Sequence, residues 1–214
     1  MKIVQNTGGI AQTNSYLIAD ESTGLAVIFD APNSTVKPLL DEAKKNGWDV
    51  IGLWLTHGHF DHIADHAEVI AAFPQAKVLI HRLDEPMLRR PISSFFSLPF
   101  TIQPRAADAF LDDGQELQIG SLRVNVIHTP GHAPGHVMFY FPDKKILIGG
   151  DLIIMGAIGR TDLPGSDARQ INPSIRRVLQ LPLDTTLLPG HGEASTLSDE
   201  IAGNPYVRQA MLGR

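Results

Sequence analysis

Short apolar runs alternate with amphipathic segments along the chain, and this alternation predicts a mixture of strands and helices. Three neighbouring pairs of runs are joined by turn-forming residues, which predicts three β-hairpins. The runs that predict strands lie at residues 14–19, 25–30, 50–55, 77–80, 116–119, 122–128, 137–141, 145–149 and 186–188.

Helices are predicted where apolar residues recur at a spacing of three or four. Ser34 is suited to cap a helix that ends at Gly47, and Pro74 stops a second helical pattern that starts at Ile63. Further helices are expected at 82–89 and 167–180, with Ser198 or Asn204 as caps of final helical turns. Hairpins combined with β-α-β links predict an α/β (α+β) layered chain rather than an all-parallel sheet.

Residues 90–104 combine three prolines with three phenylalanines and fit neither pattern. The prolines interrupt any regular element, and the segment is too aromatic for a solvated linker. Two interpretations stay open: a loop that its Phe side chains pin to the core, or a wall over an active site.

Length and composition predict one domain that spans residues 1–214, because 43% hydrophobic content can form one substantial core. The net charge of -5 argues against nucleic acid as a partner, since phosphate recognition needs a basic surface. No signal-peptide pattern and no membrane-length apolar run is visible, which predicts a cytoplasmic protein without a membrane partner.

The segment Thr-His-Gly-His-Phe-Asp-His at 56–62 concentrates metal-binding side chains directly after the predicted strand 50–55. Its candidate ligands are His57, His59, Asp61 and His62. Imidazole and carboxylate suit zinc, iron or manganese, and the end of a strand holds such groups rigidly. Because the chain has no cysteine, every metal ligand must be a nitrogen or an oxygen. The sequence therefore predicts a metal site.

Three later residues have the same character. His132, Asp151 and His191 each follow an apolar run, with Gly or Pro beside them to turn the backbone sharply. Taken singly, each could be an ordinary turn residue. Together they add three further ligand candidates at strand ends.

The order His-x-His-x-Asp-His, His, Asp, His resembles that of the metallo-β-lactamase fold superfamily over nearly the whole chain. The resemblance implies a four-layer αβ/βα sandwich that holds two divalent metal ions, zinc first, with iron or manganese as alternatives. It implies one metal on His57, His59 and His132, the other on Asp61, His62 and His191, and Asp151 as the bridge.

Within the superfamily, the chain is most similar to glyoxalase II (hydroxyacylglutathione hydrolase), in short bacterial forms that lack the C-terminal helical domain. The segments that carry this likeness are 129–136, 150–152, 159–164 and 188–192. The resemblance implies hydrolysis of an S-acylglutathione-type thioester by a metal-bridging hydroxide, with Asp61 as the catalytic proton acceptor. Arg160 and Asp162 are expected to form a structural ion pair. A Tyr that the longer forms place near the last His is replaced here by Pro and Gly.

Other functions stay open at this point. A persulfide dioxygenase with a single iron on His57, His132 and Asp151, a lactonase and a non-catalytic metal-binding module all fit parts of the pattern. A β-lactamase with a cysteine ligand at position 151 is excluded. The expected partner is a small-molecule acyl thioester; the acyl group and the oligomeric state are not predicted. Structural or surface roles are favoured for the remaining histidines, with an outer-sphere role left open for the last two: His66, His81, His128 and His136.

Overall fold

The computed structural model describes residues 1–91 and 98–213, and the chain divides into two compact units. The first unit comprises Met1–Leu111 with Gln118–Leu122, and the second comprises Asp112–Leu117 with Arg123–Arg214. Each unit has a hydrophobic core of its own. The expectation of a single domain over 1–214 stays a prediction.

The first sheet has six strands in chain order, from β1 to β6. Its strands are β1 (Lys2–Gly8), β2 (Thr13–Asp20), β3 (Leu25–Phe29), β4 (Asp49–Trp54), β5 (Lys77–His81) and β6 (Ala109–Leu111). The helices of this unit are α1 (Val36–Asn46), α2 (Phe60–Ile63), α3 (His66–Ala72) and α4 (Glu85–Arg89). Strands β1 to β3 are antiparallel neighbours, whereas β3 to β6 run parallel.

The structure confirms the first predicted hairpin, because β2 and β3 pair antiparallel across a short turn. Strand β1 was not predicted from the sequence. Helix α1 ends at Gly47 as expected, but it begins after Thr35 and Ser34 has a φ of 58°, so the predicted cap at Ser34 is wrong. The helical pattern predicted from Ile63 onward is divided between two short helices, α2 and α3.

The core of the first unit lies where apolar side chains of the sheet meet those of the helices. Leu17, Ile28 and Leu53 from the strands are fully buried, as are Leu39 of α1 and Val69 of α3. In the Pro- and Phe-rich segment, Leu98 and Phe100 pack against this core, as the first interpretation expects. Residues 92–97, which include the other two phenylalanines, lie outside the described residues, so the predicted wall is not tested.

A buried carboxylate at the end of β2 fastens a distant turn within the first unit. Asp20 accepts hydrogen bonds from the Ser22 hydroxyl at 2.6 Å and from the Thr23 hydroxyl at 3.0 Å. It also accepts from the backbone N–H and the hydroxyl of Ser121 at 2.7 and 2.9 Å. These donors lower the pKa of the Asp20 carboxyl, and the Ser22 hydroxyl has the largest effect. The group therefore stays ionised although it is buried.

The second sheet also has six strands, in the order β14-β13-β10-β9-β8-β7. Its strands are β7 (Glu116–Ile119), β8 (Leu122–His128), β9 (Val137–Phe141), β10 (Ile146–Gly150), β13 (Thr186–Pro189) and β14 (Ser195–Thr196). A small hairpin and three helices complete the described elements: β11 (Ile153–Ile154), β12 (Ala157–Ile158), α5 (Ala168–Val178), α6 (Leu197–Gly203) and α7 (Pro205–Met211). Strands β10 and β13 are parallel, while β9 and β10 form the predicted antiparallel hairpin.

Capping explains where the helices of the second unit begin. Asp167, predicted as the first residue of α5, instead caps this helix by accepting from the backbone N–H of Arg169. Asn204 caps α7, as predicted. Helix α6 is capped by Thr196 in a capping box with Asp199, so the predicted cap at Ser198 is wrong. The caps fix the helix starts, so that apolar side chains on α5 and α7 reach the buried core of this unit.

Two mixed sheets, each with helices beside parallel and antiparallel strands, confirm the predicted α/β (α+β) class. Asp30, Thr56, Asp151 and His191 come shortly after the ends of the parallel pairs β3/β4 and β10/β13. In the ranges that the structure describes, each helix is too short or too polar to cross a bilayer.

Asp65 makes the stability of the fold depend on pH. Burial raises the pKa of its carboxyl to about 6, and Glu68 adds to the rise. Because the pKa of this carboxyl is higher in the folded protein than its ordinary value, folding favours the protonated form. The contribution of the group to stability is therefore complete below about pH 4 and is lost as the pH rises to about 6. We expect Asp65→Asn to stabilise the metal-free protein at pH 7.5 by about 1–3 kcal/mol, and by much less at pH 4.5.

Urea denaturation at the two pH values measures this difference. The exposed Asp41, paired with Lys37, offers a control, and Asp41→Asn should change the unfolding free energy by no more than about 0.5 kcal/mol at either pH. Equal stability of Asp65→Asn and wild type at both pH values would contradict the prediction.

Candidate metal centre

The first ligand cluster lies in the loop and short helix that follow β4. Ligand atoms of the pairs His57/His59, His57/His62 and Asp61/His62 lie within 4.8 Å of one another. His57 and His62 are fully buried, and their ring centroids are 4.0 Å apart. The structure therefore brings together the four residues predicted from the segment 56–62, all within the first unit.

Asp30 organises this cluster, although the sequence analysis did not identify it. It follows β3, the parallel neighbour of β4, so its carboxylate lies beside the loop that carries the histidines. One oxygen, Oδ1, accepts from the backbone N–H of Thr56 at 2.8 Å. The other, Oδ2, accepts from the Thr56 hydroxyl and from His62 Nδ1, each at 2.8 Å.

These hydrogen bonds determine which ring nitrogens carry protons. His62 Nδ1 faces a carboxylate and therefore donates its proton. The Thr56 hydroxyl gives its proton to Asp30, so its oxygen accepts from His57 Nδ1, which lies 3.0 Å away. In both histidines, Nε2 is left with the lone pair that a metal requires.

Two buried side chains fix the remaining parts of the loop. The Thr13 hydroxyl donates to Asp61 Oδ2 at 2.9 Å, and that oxygen lies 3.6 Å from His62 Nε2. Asp84 accepts from the backbone N–H of Gly58 at 3.0 Å. The loop is therefore held in place by the surrounding protein before any ion binds.

The second ligand cluster lies past the ends of β10 and β13 in the second unit. Asp151 follows β10 and His191 follows shortly after β13; the two strands are parallel neighbours, so both side chains emerge at one edge of the sheet. His132 comes from the loop after β8. Oδ2 of Asp151 lies 3.4 Å from His132 Nε2 and 3.3 Å from His191 Nε2.

This spacing fits shared metal ligands. Neighbouring ligand atoms on a tetrahedral ion, each about 2.0–2.1 Å from it, lie roughly 3.3 Å apart. His132 Nδ1 donates to the backbone carbonyl of Arg160 at 2.8 Å, which leaves Nε2 with its lone pair.

The predicted ion pair between Arg160 and Asp162 is also present. Arg160 binds Asp162 through two hydrogen bonds and lowers the pKa of that carboxyl to about 2.

Gly159 allows the close approach that orients His132. A methyl group at this position would collide with the carbonyl oxygen of Asp151 and lie 2.9 Å from the His132 ring. We expect Gly159→Ala to displace both candidate ligands, Asp151 and His132, and to weaken zinc binding by at least about tenfold. Zinc titration against a competing chelator measures the change.

Gly203 supplies the control for this substitution, because a methyl group there meets no atom within 4 Å. Gly203→Ala should bind zinc as the wild type does. Wild-type affinity in Gly159→Ala would mean that the backbone at 159 does not constrain the ligands.

The remaining histidines bond to the backbone. His66 Nδ1 donates to the Ile63 carbonyl, His81 Nδ1 accepts from the Leu83 N–H, and His128 Nε2 lies 2.9 Å from the Pro134 carbonyl. These contacts agree with the structural roles favoured from the sequence. His136 also contacts the backbone, at Asp151.

Comparison of the sequence with known protein families identifies its relatives. The family model described as the metallo-beta-lactamase superfamily matches residues 8–191. "Hydroxyacylglutathione hydrolase GloC" of Haemophilus influenzae is 32% identical over 92% of this chain and 93% of its own length. "Probable metallo-hydrolase YqgX" of Bacillus subtilis is also 32% identical, over 93% of this chain and 94% of its own.

Solved structures that resemble this chain over most of its length include members of the same superfamily. The BLEG-1 B3 metallo-beta-lactamase has a TM-score of 0.88 and 33% identity, covering 96% of this chain and 99% of its own. TTHA1623 in a di-iron-bound form has a TM-score of 0.84 and 33% identity, covering 95% of this chain and 99% of its own. ETHE1 from Myxococcus xanthus has a TM-score of 0.80 and 26% identity, covering 100% of this chain and 89% of its own. The chain belongs to the metallo-beta-lactamase superfamily and has the fold of that family.

Proposed function

We propose that the protein is a dinuclear metal hydrolase that cleaves a small-molecule thioester of the S-acylglutathione type. The observation that supports this most directly is the position of Asp151, whose single oxygen Oδ2 lies within 3.4 Å of the Nε2 atoms of both His132 and His191. One oxygen near two imidazoles suits a carboxylate shared by two ions. The relative named as a hydroxyacylglutathione hydrolase supports the choice of substrate class.

In this proposal, the ligands follow the order known for the superfamily. His57, His59 and His132 would hold one ion, Asp61, His62 and His191 would hold the other, and Asp151 would serve both. The donor set is all nitrogen and oxygen, which suits zinc, iron or manganese. The relative solved in a di-iron-bound form supports a two-metal site.

When bound, divalent ions lower the pKa of water toward about 7 and stabilise negative charge on a carbonyl oxygen. Asp61 orients the attacking water and takes its proton, with the carboxylate held by the Thr13 hydroxyl. The water oxygen forms a bond to the acyl carbon, and the carbon–sulfur bond breaks. The proton passes to the departing sulfur, so the products are a carboxylic acid and a thiol.

A second candidate function has one observation in its favour. The similarity to ETHE1 extends over the whole chain, and a persulfide dioxygenase would use one iron on His57, His132 and Asp151. Such an enzyme consumes oxygen and does not require a ligand at His191. The two functions therefore differ in metal count and in the co-substrate.

Metal analysis combined with a substrate panel tests the proposal. We expect about two ions per chain and turnover of a lactoylglutathione thioester that exceeds turnover of a homoserine lactone, a β-lactam and a glutathione persulfide. One iron per chain with oxygen uptake would overturn the proposal in favour of the dioxygenase. Faster turnover of the β-lactam or the lactone would overturn the thioester assignment but keep the hydrolase.

A further inference from the structure

His136 is a buried histidine whose two ring nitrogens both contact the protein near the second ligand cluster. Its side chain is fully enclosed, and it immediately precedes β9. Nε2 accepts from the backbone N–H of Asp151 at 2.9 Å, and Nδ1 lies 2.8 Å from the Thr129 hydroxyl. The ring therefore connects the loop that carries His132 to the backbone of Asp151.

The end of the β9/β10 ladder explains why Asp151 needs this contact. The antiparallel pairing runs from Ile146 opposite Phe141 to Ile148 opposite Phe139. The register of β10 then shifts before Gly150, which has a φ of 49°. Continued regularly, the pairing would set Asp151 opposite His136. A buried backbone N–H requires an acceptor, and the imidazole supplies it where the ladder stops.

The contact also fixes the tautomer of the ring. A backbone N–H can only donate, so His136 Nε2 must carry a lone pair and Nδ1 must carry the proton. Nδ1 then donates to the Thr129 hydroxyl oxygen. In return, the backbone N–H of Thr129 donates to the carbonyl of His136 at 2.9 Å. The hydrogen bond to Asp151 is thus supported from the other side of the ring.

We propose that His136 is a positioning residue that holds the backbone of Asp151 so that its carboxylate meets His132 and His191. The proposal rests on the proposed function in one respect, namely that Asp151 is a metal ligand. His136 itself is not a ligand, because both of its nitrogens serve hydrogen bonds to protein. It acts on the metal through the Asp151 backbone, and Thr129 acts through His136.

Zinc affinity of the purified protein, measured by competition with a chelator, tests this role. We expect His136→Phe to lower the affinity by about 10–100-fold, since outer-sphere partners typically have effects of this size. His136→Gln should recover most of the affinity, because its amide oxygen can accept from Asp151 while its nitrogen donates to Thr129. Thr129→Val, which removes only the acceptor for Nδ1, should give a smaller loss.

Control measurements separate positioning from a general effect on folding. His128 ends β8 next to this loop, and its Nε2 lies 2.9 Å from the Pro134 carbonyl and not from a candidate ligand, so His128→Phe should keep wild-type zinc affinity. Unfolding of the metal-free proteins in urea records any loss of stability independently. Wild-type zinc affinity in folded His136→Phe, or an equal loss in His136→Gln and His136→Phe, would overturn the proposal.

Two further outcomes are informative. If His136→Phe does not fold, the zinc affinity of Thr129→Val tests the proposal instead. Unchanged zinc affinity in that variant overturns the proposal. If the wild type binds zinc but hydrolyses no thioester, the proposed function fails while the role of His136 is still tested by the zinc measurements.

Discussion

Replacing Asp151 with alanine is expected to lower the metal content from about two ions per chain to less than about one, and hydrolysis by about a thousandfold. The reason is that Oδ2 of Asp151 lies within 3.4 Å of the Nε2 atoms of both His132 and His191. Loss of a shared ligand weakens both halves of a two-metal site at once. Elemental analysis of dialysed protein and thioester turnover measure the two effects.

Asp184 provides the comparison for this variant. It is an aspartate of the same unit, 65% exposed and paired with Lys145. Asp184→Ala removes a negative charge without touching a ligand, so metal content and turnover should match the wild type. If Asp151→Ala retained about two ions and wild-type turnover, Asp151 would not be a shared ligand and the dinuclear mechanism would be wrong.

Asp30→Asn is expected to lower the affinity for the ion that we propose on His62 by about 100-fold, although the substitution keeps the shape of the side chain. The amide oxygen must face the Thr56 N–H, which places the amide nitrogen toward His62 Nδ1. Nδ1 must then accept, and the ring proton moves to Nε2. A protonated Nε2 has no lone pair for a metal. The same effect is known in serine proteases, where replacing the aspartate of the catalytic triad with asparagine puts the neighbouring histidine in the wrong tautomer.

Asp20 offers a matched control for Asp30, because it too is a buried carboxylate at a strand end with several donors. Asp20→Asn should cost stability but leave zinc affinity unchanged in the folded protein. Chelator competition and urea denaturation of both variants distinguish the two effects. An equal loss of zinc affinity in both would show that Asp30 acts through general stability instead of through the tautomer of His62.

Local sequence was sufficient to predict the ligand candidates. The segment 56–62 is continuous, and its four side chains come together because one loop carries them. His132, Asp151 and His191 were found because each follows an apolar strand. Strand ends and the cap at Asn204 depend on neighbouring residues, so the sequence alone predicts them.

Contacts between distant parts of the chain could not be predicted in the same way. Asp30 resembles an ordinary turn residue before Pro32, and its partner His62 lies 32 positions away. The role of His136 depends on where the β9/β10 ladder stops, which is a property of the folded sheet. Strand β1 has a mixed pattern of exposed and half-buried residues, and its pairing with β2 defines it.

Neither unit is one continuous piece of chain, and the hydrogen bonds from Ser121 to Asp20 attach the separate segment to the first unit. The first unit needs residues 118–122, which lie beyond its main stretch in the sequence. A fragment that ends at Leu111 would lack the backbone N–H and the hydroxyl of Ser121, two of the donors that bind Asp20. No single cut by a protease or in the gene can therefore release the two units as intact halves.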